Sequence, residues 1–331
     1  MDLVLHLPGL LEVHGTAIPA PGLARLILAA DPAIREPEGA GAALAARFGI
    51  ARQRDWPLAP VRLAARGVDP GAWYWLVAEP VTLVAGRDDV RLTGAVTDLA
   101  PGDAATLVAA LNAHFAADGI MFVAPTPDAW FVRAPAPARL VTRPLATVVD
   151  RPLRGLLPNG EDAAAWRRWG QEIEMLVHDH PVNVERSRAG LPSVSAVWFS
   201  FGGTLPPVPV VGAMRTFART GDAVALARHA QVPILPLPAS LGEAIAAAAG
   251  VATMVVALDA GADLGSVDAA WVAPAYAALT RRALDTVTLI GDGAGGAACW
   301  TARRPGTWRR LTARFAACDL DARFGALRGE R

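Results

Sequence analysis

The stretch His178 to Gly203, HDHPVNVERSRAGLPSVSAVWFSFGG, gathers the residues of this 331-residue chain best suited to hold a small anion. Pro181 bars the residue before it from helical geometry, so a helix arriving from the N-terminal side must end near His180. Asn183 can then cap a second, short helix that carries Arg186 and stops at Gly190. On this reading His180, Asn183, Arg186 and Ser195 converge on a phosphate or carboxylate with a Gly202-Gly203 loop beyond the apolar run, the guanidinium offering two parallel donors. The same spacing also makes a plain helix-helix corner, with Arg186 paired to Glu185 or Glu172. Both readings stand at this point.

Other chemistry-bearing patterns are thinner. His178 and His180 would share a face on a strand, but at a helix end they diverge, and no cysteine or third histidine lies nearby, so no metal site is assigned. LIGDGAGGAAC, Leu289 to Cys299, lacks both a following lysine and the G-x-G-x-x-G order; Asp-Gly between two apolar runs is primarily a hairpin signal. Ser195 and Ser240 have no G-x-S-x-G setting. All 31 basic residues are arginine, which excludes a Schiff-base or phosphate-loop lysine. The formal net charge of zero gives no general attraction to nucleic acid or anionic lipid. RRPGTWRRLTAR, Arg303 to Arg314, is read as a solvated terminal element. Cys299 and Cys318 have neither metal-ligand spacing nor a disulfide framework and are expected to be reduced and buried. The amino terminus carries an acidic residue where a signal peptide needs basic ones, and no apolar run reaches membrane-spanning length; a cytoplasmic protein is expected.

The elements that must position these residues are well marked. LVLHLPGL reads as a buried strand and turn, and GLARLILAAD and GAALAARFGI as helices, whereas the proline-rich DWPLAPVRL reads as a linker or edge segment. From Trp73 to Arg133, β-branched and aromatic runs separated by turn signals predict strands around one helix, PGDAATLVAALNAHFAADG, capped by Asp103, striped by Leu107, Leu111 and Phe115, and stopped by Gly119. Gly160 to His180 is a long amphipathic helix with Trp166, Trp169, Ile173 and Leu176 or Val177 on one face. After Pro209, strands (VPILPLP, ATMVVALDA, DTVTLIG) alternate with helices, as a wound α/β sheet requires. Such sheets place ligands beyond the carboxyl ends of their strands.

The run L-x-x-HPVN-x-x-R-x-x-x-GLP, Leu176 to Pro192, followed by an apolar strand and glycines, resembles the archaeal-type cofactor-independent phosphoglycerate mutases, and still more a group of bacterial regulatory or uncharacterised relatives of them. ARFGI, DWPLAPVRL, WLVAEPVTLVAGRDDVRL, LNAHFAADGIMF and WGQEIEMLVHDHPVN extend the resemblance over most of Leu44 to Pro206. It implies an α/β fold whose wound mixed sheet is of alkaline-phosphatase and mutase type, interrupted by a smaller α+β domain: residues 1–70 with 176–331, and 71–175. It also implies two divalent metals (manganese, zinc or magnesium) and a serine that carries the phosphoryl group.

This chain departs from that pattern where the chemistry resides. Pro8-Gly9 stands in place of the metal-binding Asp-Gly, no serine or threonine occurs between Asp31 and Trp56, Ser195 and Ser200 replace an asparagine and an arginine, and no histidine follows His229, although Asp292 remains. Two-metal phosphoryl transfer needs several carboxylates and histidines. The expectation is therefore a catalytically degenerate mutase-like protein without cofactor, regulatory in role, meeting a phosphorylated or carboxylated small molecule or a protein partner. The alternatives are an active metal-dependent phosphoglycerate mutase, and a structural interaction module.

Overall fold

The computed structural model describes residues 1–14, 20–86, 89–304 and 319–328. In chain order the elements are β1 (Asp2–Leu7), α1 (Pro21–Ala29), β2 (Ile34–Glu36), α2 (Gly39–Arg47), α3 (Leu58–Ala65), β3 (Tyr74–Ala85), β4 (Val90–Ala95), α4 (Pro101–His114), β5 (Met121–Thr126), β6 (Ala129–Ala134), β7 (Leu140–Val141), β8 (Asn159–Gly160), α5 (Ala163–His178) and α6 (Pro181–Arg188). They continue with β9 (Ala196–Gly203), β10 (Met214–Phe217), α7 (Gly221–His229), β11 (Ile234–Leu235), α8 (Leu241–Ala247), β12 (Thr253–Ala257), α9 (Leu264–Val267), α10 (Ala273–Thr280), β13 (Thr286–Gly293), β14 (Gly296–Arg303) and a last helix, Leu320–Arg328.

Two compact units divide the chain: Met1–Gly49 with Val208–Arg331, and Ile50–Pro207. The fold class is mixed α/β. In the first unit a seven-stranded sheet runs β11-β10-β12-β1-β13-β14-β2, with β11 to β13 parallel and β14 and β2 antiparallel. Its central strands, VLHL, MVVA and VTLI, are nearly continuous apolar runs because helices cover a parallel sheet on both faces. Leu3, Leu5, Val256, Leu289, Trp271 and Leu279 belong to one core. The expected β13–β14 hairpin forms, but its turn is Ala294-Gly295: Asp292 pairs with Ala297 and Gly293 with Gly296, so Asp-Gly ends β13 rather than making the turn. A Cβ on Gly291 would stand 2.7 Å from Leu10 Cδ2, so this glycine serves the close packing of the 10–12 turn on β13.

Helix α1 has no cap of its own. Asp268, buried on the segment before α10, accepts from Gly22 N at 2.9 Å and Leu23 N at 2.6 Å. A carboxylate there satisfies two open amides and meets the positive end of the helix. Asp268→Ala is expected to cost about 2 kcal/mol, read as a shift of the urea midpoint at unchanged slope.

The second unit carries the antiparallel sheet. The twelve-residue strand β3 pairs β9 along one edge, and β6 and then β4 along the other; β5 completes the sheet beyond β6. Strand alternation turns Tyr74, Leu76 and Ala78 of β3, with Trp130 and Val132 of β6, into the core they share with Leu107, Leu111, Trp166 and Ile173 of α4 and α5.

Several expectations need correction. DWPLAPVRL is not a linker: it holds α3, which packs on β3 and β9. Pro57 is its N-cap residue and Pro60 falls in its first turn, where amides lack intrahelical partners anyway, so neither proline breaks it. Because α3 and β9 both pack on β3, the crossings between units fall at 49/50 and 207/208 rather than at 70/71 and 175/176. Asp103 lies in the first turn of α4 but does not cap it; Ala100 holds the N-cap position, with Pro101 following. VPILPLP contributes only the two-residue β11. Cys299 is buried in β14, and that burial pushes its thiol up to about 11. Cys318 and most of Arg303 to Arg314 lie outside the described residues. No helix among the described residues is long and apolar enough to cross a membrane.

Candidate functional site

In the second unit, α5 ends where Pro181 demands, and His180 takes extended geometry (φ −64°, ψ 137°). Its Nδ1 accepts from Val182 N at 3.3 Å, so His180 rather than Asn183 caps α6. Asn183, 3 % exposed, is turned inward. Its Nδ2 donates to Val177 O at 2.6 Å and Val194 O at 2.7 Å, and its Oδ1 accepts from Val194 N at 2.9 Å. Both amide protons and the carbonyl are thereby used.

Arg186, 4 % exposed, donates from Nε to Pro192 O at 2.8 Å and from Nη2 to Asp98 Oδ1 at 2.5 Å. The partner expected from the sequence was Glu185 or Glu172. Glu185 instead meets Arg188, and Glu172 lies between His114 and Arg168. The corner is a set of internal ties that fastens α6 to the end of α5, to the 191–194 segment and to Asp98. Of the two readings left open by spacing, the geometry takes the helix-helix corner for Asn183 and Arg186.

The remaining nominated residues lie elsewhere. Ser195 donates its backbone N–H to Val81 O at 2.8 Å as β9 begins. Gly202 and Gly203 form no loop: they are the last residues of β9, about 23 Å along the strand from Ser195. A Cβ on Gly202 would stand 2.3 Å from Tyr74 Oη, so only a glycine lets β9 pass there.

At that far end lies a cluster that the sequence did not announce. Asp55 is buried and accepts from Trp56 N at 2.8 Å, Thr142 N at 3.0 Å, Gly202 N at 3.4 Å and the Thr142 hydroxyl. Thr142 Oγ1 in turn accepts from Phe201 N at 2.9 Å, where Phe201 takes the left-handed φ of 58°. Desolvation by burial raises the Asp55 carboxyl pKa above 3.8, against the pull of its donors. The Tyr74 phenol is raised too, by burial first and the Asp55 charge second. The one sequence signal was an aspartate at the head of the proline-rich DWPLAPVRL.

In the first unit, the parallel strands end as a wound sheet requires, and a cleft of about 250 Å³ opens beyond β1 and β12. Its walls are Leu7 to Leu10, Glu12 and Val13 on one side and Leu258, Asp259 and Leu264 on the other. Asp292 sits beside the Pro8-Gly9 turn: its Oδ1 accepts from Gly9 N at 2.6 Å, and its Oδ2 meets His6 Nε2 at 3.1 Å. Asp259 pairs with Arg219. No serine, threonine, histidine or cysteine is among the described residues lining the cleft. Among the described residues no three His, Cys, Asp or Glu side chains form a metal-holding group. This donor set does not fit two divalent ions, because the Asp292 carboxylate is engaged by an imidazole and a backbone amide.

No protein-family model matches the chain, and no curated protein does. Among solved structures, the cofactor-independent phosphoglycerate mutase from Thermoplasma acidophilum DSM 1728 superimposes with a TM-score of 0.45 at 14% identity, covering 98% of this chain and 97% of that one. The PH0037 protein from Pyrococcus horikoshii gives a TM-score of 0.45 at 12% identity, covering 100% of this chain and 97% of that one.

Proposed function

We propose that this chain is a mutase-like protein without mutase catalysis, regulatory in role and acting in a cytoplasmic setting by binding a small phosphorylated or carboxylated molecule at the strand-end cleft. One observation carries the reading. The acidic side chain beside the Pro8-Gly9 turn, Asp292, is committed to Gly9 N and His6, and no serine or threonine is among the described residues lining the cleft, which supports a site without the cation cage and nucleophile that phosphoryl transfer needs. The corner at Asn183 and Arg186 does not supply the anion site, since its donors are used internally. Arg219 is not itself a lining residue but pairs with exposed Asp259, which is; an incoming carboxylate or phosphate would compete with Asp259 for that guanidinium.

Two measurements test this. Protein stripped of metal and reloaded with manganese is expected to convert no 3-phosphoglycerate above the protein-free control; metal-dependent turnover overturns the reading. Calorimetry with 3-phosphoglycerate is expected to give saturable heat that Arg219→Gln abolishes. No heat from this acid or its 2-phospho isomer removes the ligand-sensing role.

A further inference from the structure

The second unit holds a cavity of about 150 Å³ bounded by α5, β3, both faces of β9 and the 153–158 segment, on residues that the resemblance leaves without a role. Its walls are apolar and aromatic: Val81 and Leu83 of β3, Leu153 and Leu157 of the preceding loop, Trp198 of β9 and Trp166 of α5. Trp166 is held on Phe199 with ring centroids 5.0 Å apart and the rings near perpendicular, and Trp198 Nε1 is anchored to Arg143 O at 2.8 Å. Both indoles are therefore fixed in place without a guest. A void of this size in an apolar wall accommodates one benzene-sized group.

Two features of α5 set this cavity apart from a packing defect. Gly170 lies mid-helix, where glycine is disfavoured relative to alanine, yet a Cβ built there meets nothing within 4 Å. The glycine is not required by any neighbour, and its bare position faces the cavity. One turn on, Glu174 stands at the rim, and no ion pair or side-chain hydrogen bond engages it among the described residues. Its neighbours Arg168 and Glu172 on the same helix do pair. Desolvation at the rim raises the Glu174 carboxyl pKa, the condition in which an arriving cation is most welcome.

Indole faces attract cations through their ring quadrupole, and a carboxylate supplies the countercharge. We propose that this cavity is a binding site for an organic ammonium on a compact apolar body, an arylalkylamine in class, with the ring in the apolar part of the cavity and the ammonium at Glu174. Arg167 also lines the cavity, nearly two turns from Glu174 and about 10 Å along the axis, so its repulsion is largely screened at physiological salt. The site lies within the second unit and does not depend on the reading of the strand-end cleft.

Phenethylamine, toluene and phenylacetate form the test set, titrated into the full-length protein and followed by NMR shifts and calorimetry. Phenethylamine is expected to bind saturably and more tightly than toluene, with phenylacetate weakest. Glu174→Gln is expected to weaken phenethylamine roughly tenfold while leaving toluene unchanged. Gly170→Leu fills the space and is expected to abolish binding of all three while the melting temperature holds or rises. Preference for phenylacetate lost on Arg167→Met overturns the proposal, as does the absence of saturable phenethylamine binding up to about 10 mM. Equal binding to wild type and Glu174→Gln also overturns it, so the assignment does not depend on the Gly170 variant folding.

Discussion

Asn183→Ala is expected to destabilise the second unit by about 3 kcal/mol, because one side chain serves three buried backbone groups from two segments. Alanine would leave Val177 O, Val194 O and Val194 N without partners in a site closed to water, and each orphan costs on the order of 1 kcal/mol or more. Aspartate is no substitute. It keeps the acceptor for Val194 N but sets a carboxylate oxygen against two carbonyls, so Asn183→Asp is expected to be as damaging as alanine. Arg186→Met should cost less, since Asp98 is half exposed and regains water. Thermal unfolding of the three variants checks the order, and none should alter the heat of 3-phosphoglycerate binding in whatever fraction remains folded. A ligand effect at Asn183 with unchanged stability would return the corner to the anion reading.

The pattern of strands and helices was legible because burial imposes period. VLHL, MVVA and VTLI announce central parallel strands, and Trp166, Ile173 and Val177 announce the inner face of α5. What failed to show was every choice made by a partner distant in sequence. Asp98 is 88 residues from Arg186, and nothing local to HPVNVER favours it over the nearer Glu185. Asn183 carries the right chemistry for a cap, but the proline at 181 moved the helix start and gave the cap to His180. The two prolines of DWPLAPVRL signal an interruption only when their position within a turn is unknown; at the N-cap and in the first turn they are compatible with α3. The strand-end site was legible mainly through what Pro8-Gly9 replaces and through the Asp292 that remains, whereas the cavity beside α5 depends on how a helix sits on a sheet.

Asp55→Ala is expected to show the largest loss of the substitutions considered, about 4 kcal/mol near pH 4, since it strips the partner from three backbone amides and the Thr142 hydroxyl at once. Three of those four donors belong to segments 87 and 147 residues away, so the carboxylate ties the chain before α3 to the residue after β7 and to the end of β9. Asp55→Asn retains the shape but offers an N–H₂ where an acceptor is needed at one of the two oxygens, so it too should destabilise. The pH dependence separates donors from desolvation. With the folded-state pKa raised above 3.8, the folded chain holds this proton more tightly than the unfolded chain does. The group's stabilising contribution is then fully present below 3.8 and is lost as pH rises through the raised value. The penalty of Asp55→Asn, whose amide does not titrate, is therefore expected to shrink between about pH 4 and pH 7 in urea unfolding. A penalty that grows with pH would mean that the four donors outweigh burial and hold the carboxylate ionised.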